Sequence, residues 1–156
     1  TLNNYNKEYV KTWQTLFRKK LGLSTESEQD LALLEELLQT LHQEKLDYTL
    51  FFRNLSEGLV VPEAMNSWYD TYKERLSIEK QSTDRRLETM QSVNPKYILR
   101  NHLAQHAIEL AQKKDFSEVT RLLKILENPY SNQSVAESYA QPPSPDLAHI
   151  PISCSS

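Results

Sequence analysis

From Tyr5 the apolar residues run Tyr5, Tyr9, Val10, Trp13, Leu16, Phe17 and Leu21, a spacing of three and four that lines one face of an α-helix. Gly22 follows and supplies a C-terminal cap, because glycine takes the left-handed backbone conformation without a Cβ penalty. Leu31, Leu34, Leu37, Leu38 and Leu41 predict a second amphipathic helix, with Ser27 and Asp30 at its start as the N-terminal cap. Asp47 is expected to cap a short third helix through Leu50, Phe51 and Leu55, ending near Gly58. Its adjacent Phe51 and Phe52 cannot share a face, so both sides of that helix need cover.

Pro62 suits a first helical turn, and Met65, Trp68, Tyr69, Tyr72 and Leu76 follow at helical spacing. The pattern breaks near Ser82, and Leu87 and Met90 then mark a helix over residues 84–92. Asn94 and Pro95 read as the cap and first residue of the next helix, whose stripe is Leu99, Leu103, Ala104, Ala107, Ile108 and Ala111. Asp115 and Glu118 stand at capping-box spacing ahead of Val119, Leu122, Leu123 and Leu126. Residues 95–126 therefore read as a helix hairpin with Leu103 and Leu122 inside, stopped by Asn128-Pro129. Two glycines and no strand-like alternation complete the pattern. The fold class expected is all-α: an irregular bundle of about six or seven helices over residues 1–128, then an extended proline-rich arm over residues 129–156. Unequal spacing between the helices excludes a tandem repeat.

Composition changes this picture little. Hydrophobic residues make up 38% of the 156, and the deficit sits in polar helix faces and the tail, so a core stays available. With 18 basic and 21 acidic side chains the net charge is −3, too balanced to point to nucleic acid or a membrane as partner. The basic pieces Arg18-Lys19-Lys20, Arg85-Arg86 and Lys113-Lys114 are short and fall near helix ends, where they complement the helix dipole. No apolar run approaches the ~20 residues of a membrane span. The chain opens Thr-Leu-Asn-Asn and reads as a piece of a longer protein. Cys154 is the only cysteine, which excludes a disulfide within the chain and points to a reducing compartment or to a thiol partner outside it.

Candidate chemistry is sparse. His102 and His106 lie four apart, a spacing zinc sites use, but Leu103 stands where the metalloprotease motif needs Glu and no third ligand is evident. They read as surface or interface histidines, and His42 and His149 are isolated. Tyr5, Tyr9 and Trp13 have the spacing of core aromatics, and Glu35-Glu36 that of a solvated face. There is no Gly-rich loop, no strand lysine and no metal-binding Asp in a kinase-type setting. No catalytic, cofactor-binding or metal-binding residue is expected in this chain.

Several short pieces share one order along most of the chain. They are Lys11-Thr12-Trp13 with Lys20-Leu21-Gly22-Leu23, then Asp47-Tyr48-Thr49-Leu50-Phe51-Phe52-Arg53 with Leu55. Asn94-Pro95-Lys96-Tyr97-Ile98-Leu99-Arg100-Asn101 follows with Leu103-Ala104-Gln105, then Asn128-Pro129-Tyr130 and Ser153-Cys154-Ser155-Ser156. This series resembles the C-terminal region of the selenoprotein O family. The resemblance implies a kinase-fold parent that binds ATP turned around, with Mg2+, and transfers AMP to Ser, Thr or Tyr hydroxyls of proteins. Its nucleotide and metal sites would lie N-terminal to this segment. The implied partners are the catalytic part of the same parent chain and the parent's protein substrates. The implied location is the cytoplasm in a bacterium, or mitochondria in a eukaryote. Cys154 matches the position that is selenocysteine in animal members and cysteine in bacterial ones. The implied role is redox control, through a disulfide to a cysteine of the catalytic part that closes a long loop. Position 102 is commonly Tyr in the family, so His102 is a departure. A non-enzymatic helical interaction module, whose groove takes a partner helix, is the other reading of the residues.

Overall fold

The computed structural model describes residues 2–147, leaving out the side chains of residues 2–6 and 135. The described chain is all-α, with no strand. Seven helices precede the tail: α1 (Leu2–Leu21), α2 (Asp30–Gln43), α3 (Tyr48–Ser56), α4 (Asn66–Leu76), α5 (Thr83–Val93), α6 (Asn101–Gln112) and α7 (Ser117–Leu126). An eighth, α8 (Glu137–Ala140), lies within the tail. The chain divides into two compact units, residues 1–94 and 95–156.

In the first unit α1 packs on α3 and α5, and α2 on α4. The leucines of α2 meet the aromatic residues of α3 and α4 in one core that also takes in Met65 and Met90. Phe51 and Phe52 are both buried, with rings edge-on at 5.7 Å, so neighbours do cover both sides of α3. Phe51 reaches Trp68 at 5.6 Å, and Phe52 reaches Phe17 at 6.2 Å. Trp68 stacks on Tyr72 at 5.0 Å and donates its indole N–H to the Leu33 carbonyl at 2.9 Å.

Gly22 closes α1 at φ +68, with the Leu23 N–H on the Arg18 carbonyl at 2.8 Å. A Cβ here would stand 2.5 Å from Arg86 Cγ and 2.7 Å from Met90 Sδ. The glycine thus serves twice, since it also lets α5 lie against the end of α1. The apolar face of α1 is buried only toward its C-terminus. Trp13 and Phe17 pack on the core and Leu21 enters it, whereas Tyr9, Val10 and Leu16 are exposed. Tyr9 is therefore not the core aromatic its spacing predicts, because no described element covers that stretch of helix; the side chain of Tyr5 lies outside the described residues.

Of the N-caps read from the sequence, Asp47 is found as such, and Ser82, where the pattern only breaks, caps α5. Asp47 accepts the Leu50 N–H at 2.8 Å, and Ser82 accepts the Arg85 N–H at 3.4 Å. The Ser27 N–H donates to the Asp30 carboxylate at 3.0 Å, although α2 proper begins at Asp30. Pro62 leads a 3-10 turn, Glu63–Met65, that runs into α4.

The second unit departs more. The N–H groups of Lys96 and Tyr97 both donate to the Pro129 carbonyl, at 2.8 and 3.1 Å. That pairing keeps the chain after Pro95 out of helical conformation, and α6 starts at Asn101 with an extended Arg100 before it. Asn94 is accordingly not an N-cap; it ends α5. Ala107, Leu122 and Ile125 are buried, Leu103 is half-buried rather than inside, and Leu99 is exposed. Asp115 accepts the Ser117 N–H at 2.9 Å in place of a capping box, because the Glu118 carboxylate turns inward to the Tyr139 hydroxyl at 2.8 Å.

The described part of the tail is not extended throughout. Ser134–Ala136 and α8 form successive helical turns that bury Ala136 and Ala140 against Tyr97 and Ile125. Cys154 and His149 lie outside the described residues.

Candidate functional site

Three of the sequence pieces that carry the resemblance converge in the first unit on Asn94, which is fully buried. Its amide donates to the Lys20 carbonyl at 2.9 Å, and its side-chain oxygen accepts from Lys20 Nζ at 3.0 Å. Its backbone carbonyl accepts from Arg53 Nη1 at 3.3 Å. Arg53 is itself buried and pairs with Glu57, Nε to Oε1, at 2.6 Å. The Lys20 ammonium also sits over the rings of Tyr48 at 5.4 Å and Phe52 at 5.0 Å, and burial lowers its pKa. Lys20, Tyr48, Phe52, Arg53 and Asn94 thus tie the ends of α1 and α5 to α3. An asparagine suits the centre because it offers donor and acceptor together to one lysine's carbonyl and ammonium. Asn94→Ala strands both, and it is expected to cost about 2–3 kcal/mol in a urea titration, the cost of unpaired buried polar groups. A loss under about 0.5 kcal/mol would show that water replaces the amide.

A second buried cluster centres on Arg75, which is 3% exposed. Its guanidinium donates to Asp30 at 2.7 Å, to Glu79 at 2.8 Å and to the Thr25 carbonyl at 2.8 Å. Glu79 in turn accepts the Ser24 N–H at 3.0 Å, the Thr25 N–H at 3.3 Å and both hydroxyls. Burial works to raise the Glu79 pKa, but the bonds from Ser24, Thr25 and Arg75 outweigh it and hold the carboxyl at about 2. Nearby, the Tyr72 hydroxyl donates to the Leu21 carbonyl at 2.6 Å. Burial pushes its phenol up to about 12, against the pull of the adjacent Arg86. The periodicity reading passed over Arg75 and Glu79, yet a signal was present. Trp68, Tyr72, Arg75 and Glu79 follow one another by four, three and four, so both charges occupy the buried stripe of α4 and its extension.

The second unit holds the pieces over residues 95–101, 103–105 and 128–130. The Tyr97 hydroxyl both donates to the Gln133 carbonyl and accepts the Gln133 N–H, each at 3.1 Å. Arg100 donates to the Ala140 carbonyl at 3.3 Å, and Lys96 pairs with Glu137. The 94–101 and 128–130 pieces therefore meet, and their side chains fasten the root of the tail. His102 is half-buried, with a pKa lowered by burial and by the Arg100 charge, and His106 is exposed.

The residues present do not fit a nucleotide-bound Mg2+. The carboxylates of Asp30 and Glu79 already bracket a guanidinium. Among the described residues no three His, Cys, Asp or Glu gather as metal ligands. What the geometry offers is attachment: buried polar side chains that join distant segments.

The described chain is an all-α segment held together by buried polar side chains. The family model for protein adenylyltransferase SelO matches residues 1–127, and the chain belongs to that family. It is similar to proteins named protein nucleotidyltransferase YdiU. The one from Cupriavidus metallidurans is 38% identical, the match covering 99% of this chain and 31% of that protein. The one from Thioalkalivibrio sulfidiphilus is 42% identical, covering 99% and 34%, and the one from Pseudomonas putida 39%, covering 100% and 35%. The chain spans about a third of the length of the curated relatives it matches.

Proposed function

We propose that this chain is the C-terminal helical part of a protein adenylyltransferase that transfers AMP from ATP to Ser, Thr or Tyr hydroxyls of proteins. The observation that carries the reading is the family match over residues 1–127, supported by the nucleotidyltransferase names of its bacterial relatives. The same match favours it over an independent interaction module. ATP and Mg2+ belong, in this reading, to the part of the parent outside this chain, which is also the partner that the segment supports. The parent works in the bacterial cytoplasm, and no helix among the described residues is long and apolar enough to cross a membrane.

Cys154 is the side chain assigned to redox control. Its thiol forms a disulfide with a cysteine of the catalytic part when an oxidant accepts the two electrons released, and a reductant restores both thiols. The test is incorporation of labelled AMP into protein by the parent, with and without dithiothreitol, beside its Cys154→Ser variant and the 156-residue chain alone. Labelling by the parent, none by the chain alone, and loss of the dithiothreitol effect in Cys154→Ser are expected. A parent inactive with ATP and Mg2+ refutes the transferase reading, and an unchanged redox response in Cys154→Ser refutes the thiol's role.

A further inference from the structure

Two of the basic pieces that look independent in sequence come together in the first unit. Lys20 and Arg86 turn inward, to Asn94 and to the Tyr72 hydroxyl. Their neighbours Arg18, Lys19 and Arg85 line one open groove of about 790 Å³, joined by Lys80 from the α4–α5 connection. Glu26 is the single acid of the lining, and it is held by Arg18. Lys19, Lys80 and Arg85 have no carboxylate within ion-pair distance among the described residues, and all three are exposed. Three uncompensated cations thus face one groove on a chain whose net charge is −3.

We propose that this groove binds an acidic, carboxylate-rich segment of another protein. Charge complementarity sets the sign of the ligand. The distribution of the cations sets its form. They come from three elements, the last turn of α1, the α4–α5 connection and the first turn of α5, so they match charges spread along a chain better than one phosphate. No aromatic side chain lines the groove, so nothing stacks a nucleotide base, which single-stranded nucleic acid and nucleotide sites use. Thr15, Ser24, Gln81 and Thr89 already donate within the chain, so the exposed cations carry the recognition. The proposal concerns a docking surface and stands whether or not the parent transfers AMP.

The experiment is fluorescence anisotropy with a labelled oligoglutamate peptide, and the matching oligoglutamine peptide as control. It is run on the 156-residue protein and on the longer parent that carries it. Both proteins are expected to bind oligoglutamate and not oligoglutamine, more weakly as salt rises from about 50 to about 300 mM. The triple variant Lys19→Glu, Lys80→Glu, Arg85→Glu is expected to weaken binding about tenfold or more, the sum of three reversed surface pairs. Circular dichroism verifies its fold, and Lys113→Glu with Lys114→Glu, elsewhere on the chain, is expected to bind as the wild type does. Equal binding by the triple variant overturns the proposal, as does inorganic tripolyphosphate binding the groove while oligoglutamate does not. Binding by the 156-residue protein but not by the parent also overturns it, since the parent's own chain then fills the groove.

Discussion

Arg75→Ala is expected to cost about 3–5 kcal/mol of stability, the penalty for leaving a buried ion cluster without one partner. The substitution removes a guanidinium whose three arms satisfy Asp30, Glu79 and the Thr25 carbonyl. Two carboxylates then face each other with no cation between them. Arg75→Lys rescues only part of the loss, because an ammonium lacks the planar fork that reaches two carboxylates and a carbonyl at once. Chemical denaturation monitored by tryptophan fluorescence reads both variants; a loss under about 1 kcal/mol for Arg75→Ala would mean that water enters and screens the cluster.

The same cluster sets an acid limit. The Glu79 pKa is lowered from its ordinary 4.5 to about 2, so the folded state favours the ionised form. The stability this contributes is complete above the unfolded-state pKa and is lost as pH falls from about 4.5 toward 2. Glu79→Gln is expected to be less stable at neutral pH and to lose less on acidification. A parallel fall in both proteins across that window would assign the acid sensitivity to other carboxylates.

The second large effect is at Trp68, where alanine is expected to cost about 3–5 kcal/mol, as for other buried aromatic truncations. The indole is 1% exposed, stacks on Tyr72, meets Phe51 edge-on and bonds the Leu33 carbonyl. It thereby joins α4 to both α2 and α3. Trp68→Phe keeps most of the packing and strands only the carbonyl, so a loss of about 1–2 kcal/mol is expected. Equal losses for the two variants would place the energy in the hydrogen bond rather than in the rings.

What could be read from the sequence follows the reach of each interaction. Asp47 and Gly22 act on atoms within four residues of themselves, and local spacing located both. The all-α class and the burial of Phe51 and Phe52 follow from periodicity for the same reason. Asn94 misled because Asn-Pro is an N-cap signal. Its amide instead satisfies Lys20, 74 residues earlier, and the chain beyond it pairs with Pro129. Asp30, Arg75 and Glu79 were missed as a group because a patterning scheme gives polar residues no partner. Only the position of Arg75 on an apolar stripe hints at its burial. The convergence of Lys19, Lys80 and Arg85 is likewise a product of packing, invisible until α5 lies on the end of α1.

The fastening of the tail root bounds where a partner for Cys154 can lie, if the proposed disulfide forms. Ala140 is the last buried residue of the described chain, and its carbonyl is held by Arg100. Fourteen residues, from Gln141 to Cys154, follow that anchor, and a fully extended chain of that length spans at most about 50 Å. Any sulfur that pairs with Cys154 while the anchor holds must lie inside that radius of Ala140. Under the proposed redox pairing, moving the anchor, by Arg100→Ala or by inserting residues after Gln141, is expected to change how often the two sulfurs meet. If that pairing exists, its rate of formation is expected to vary with the number of residues between Ala140 and Cys154.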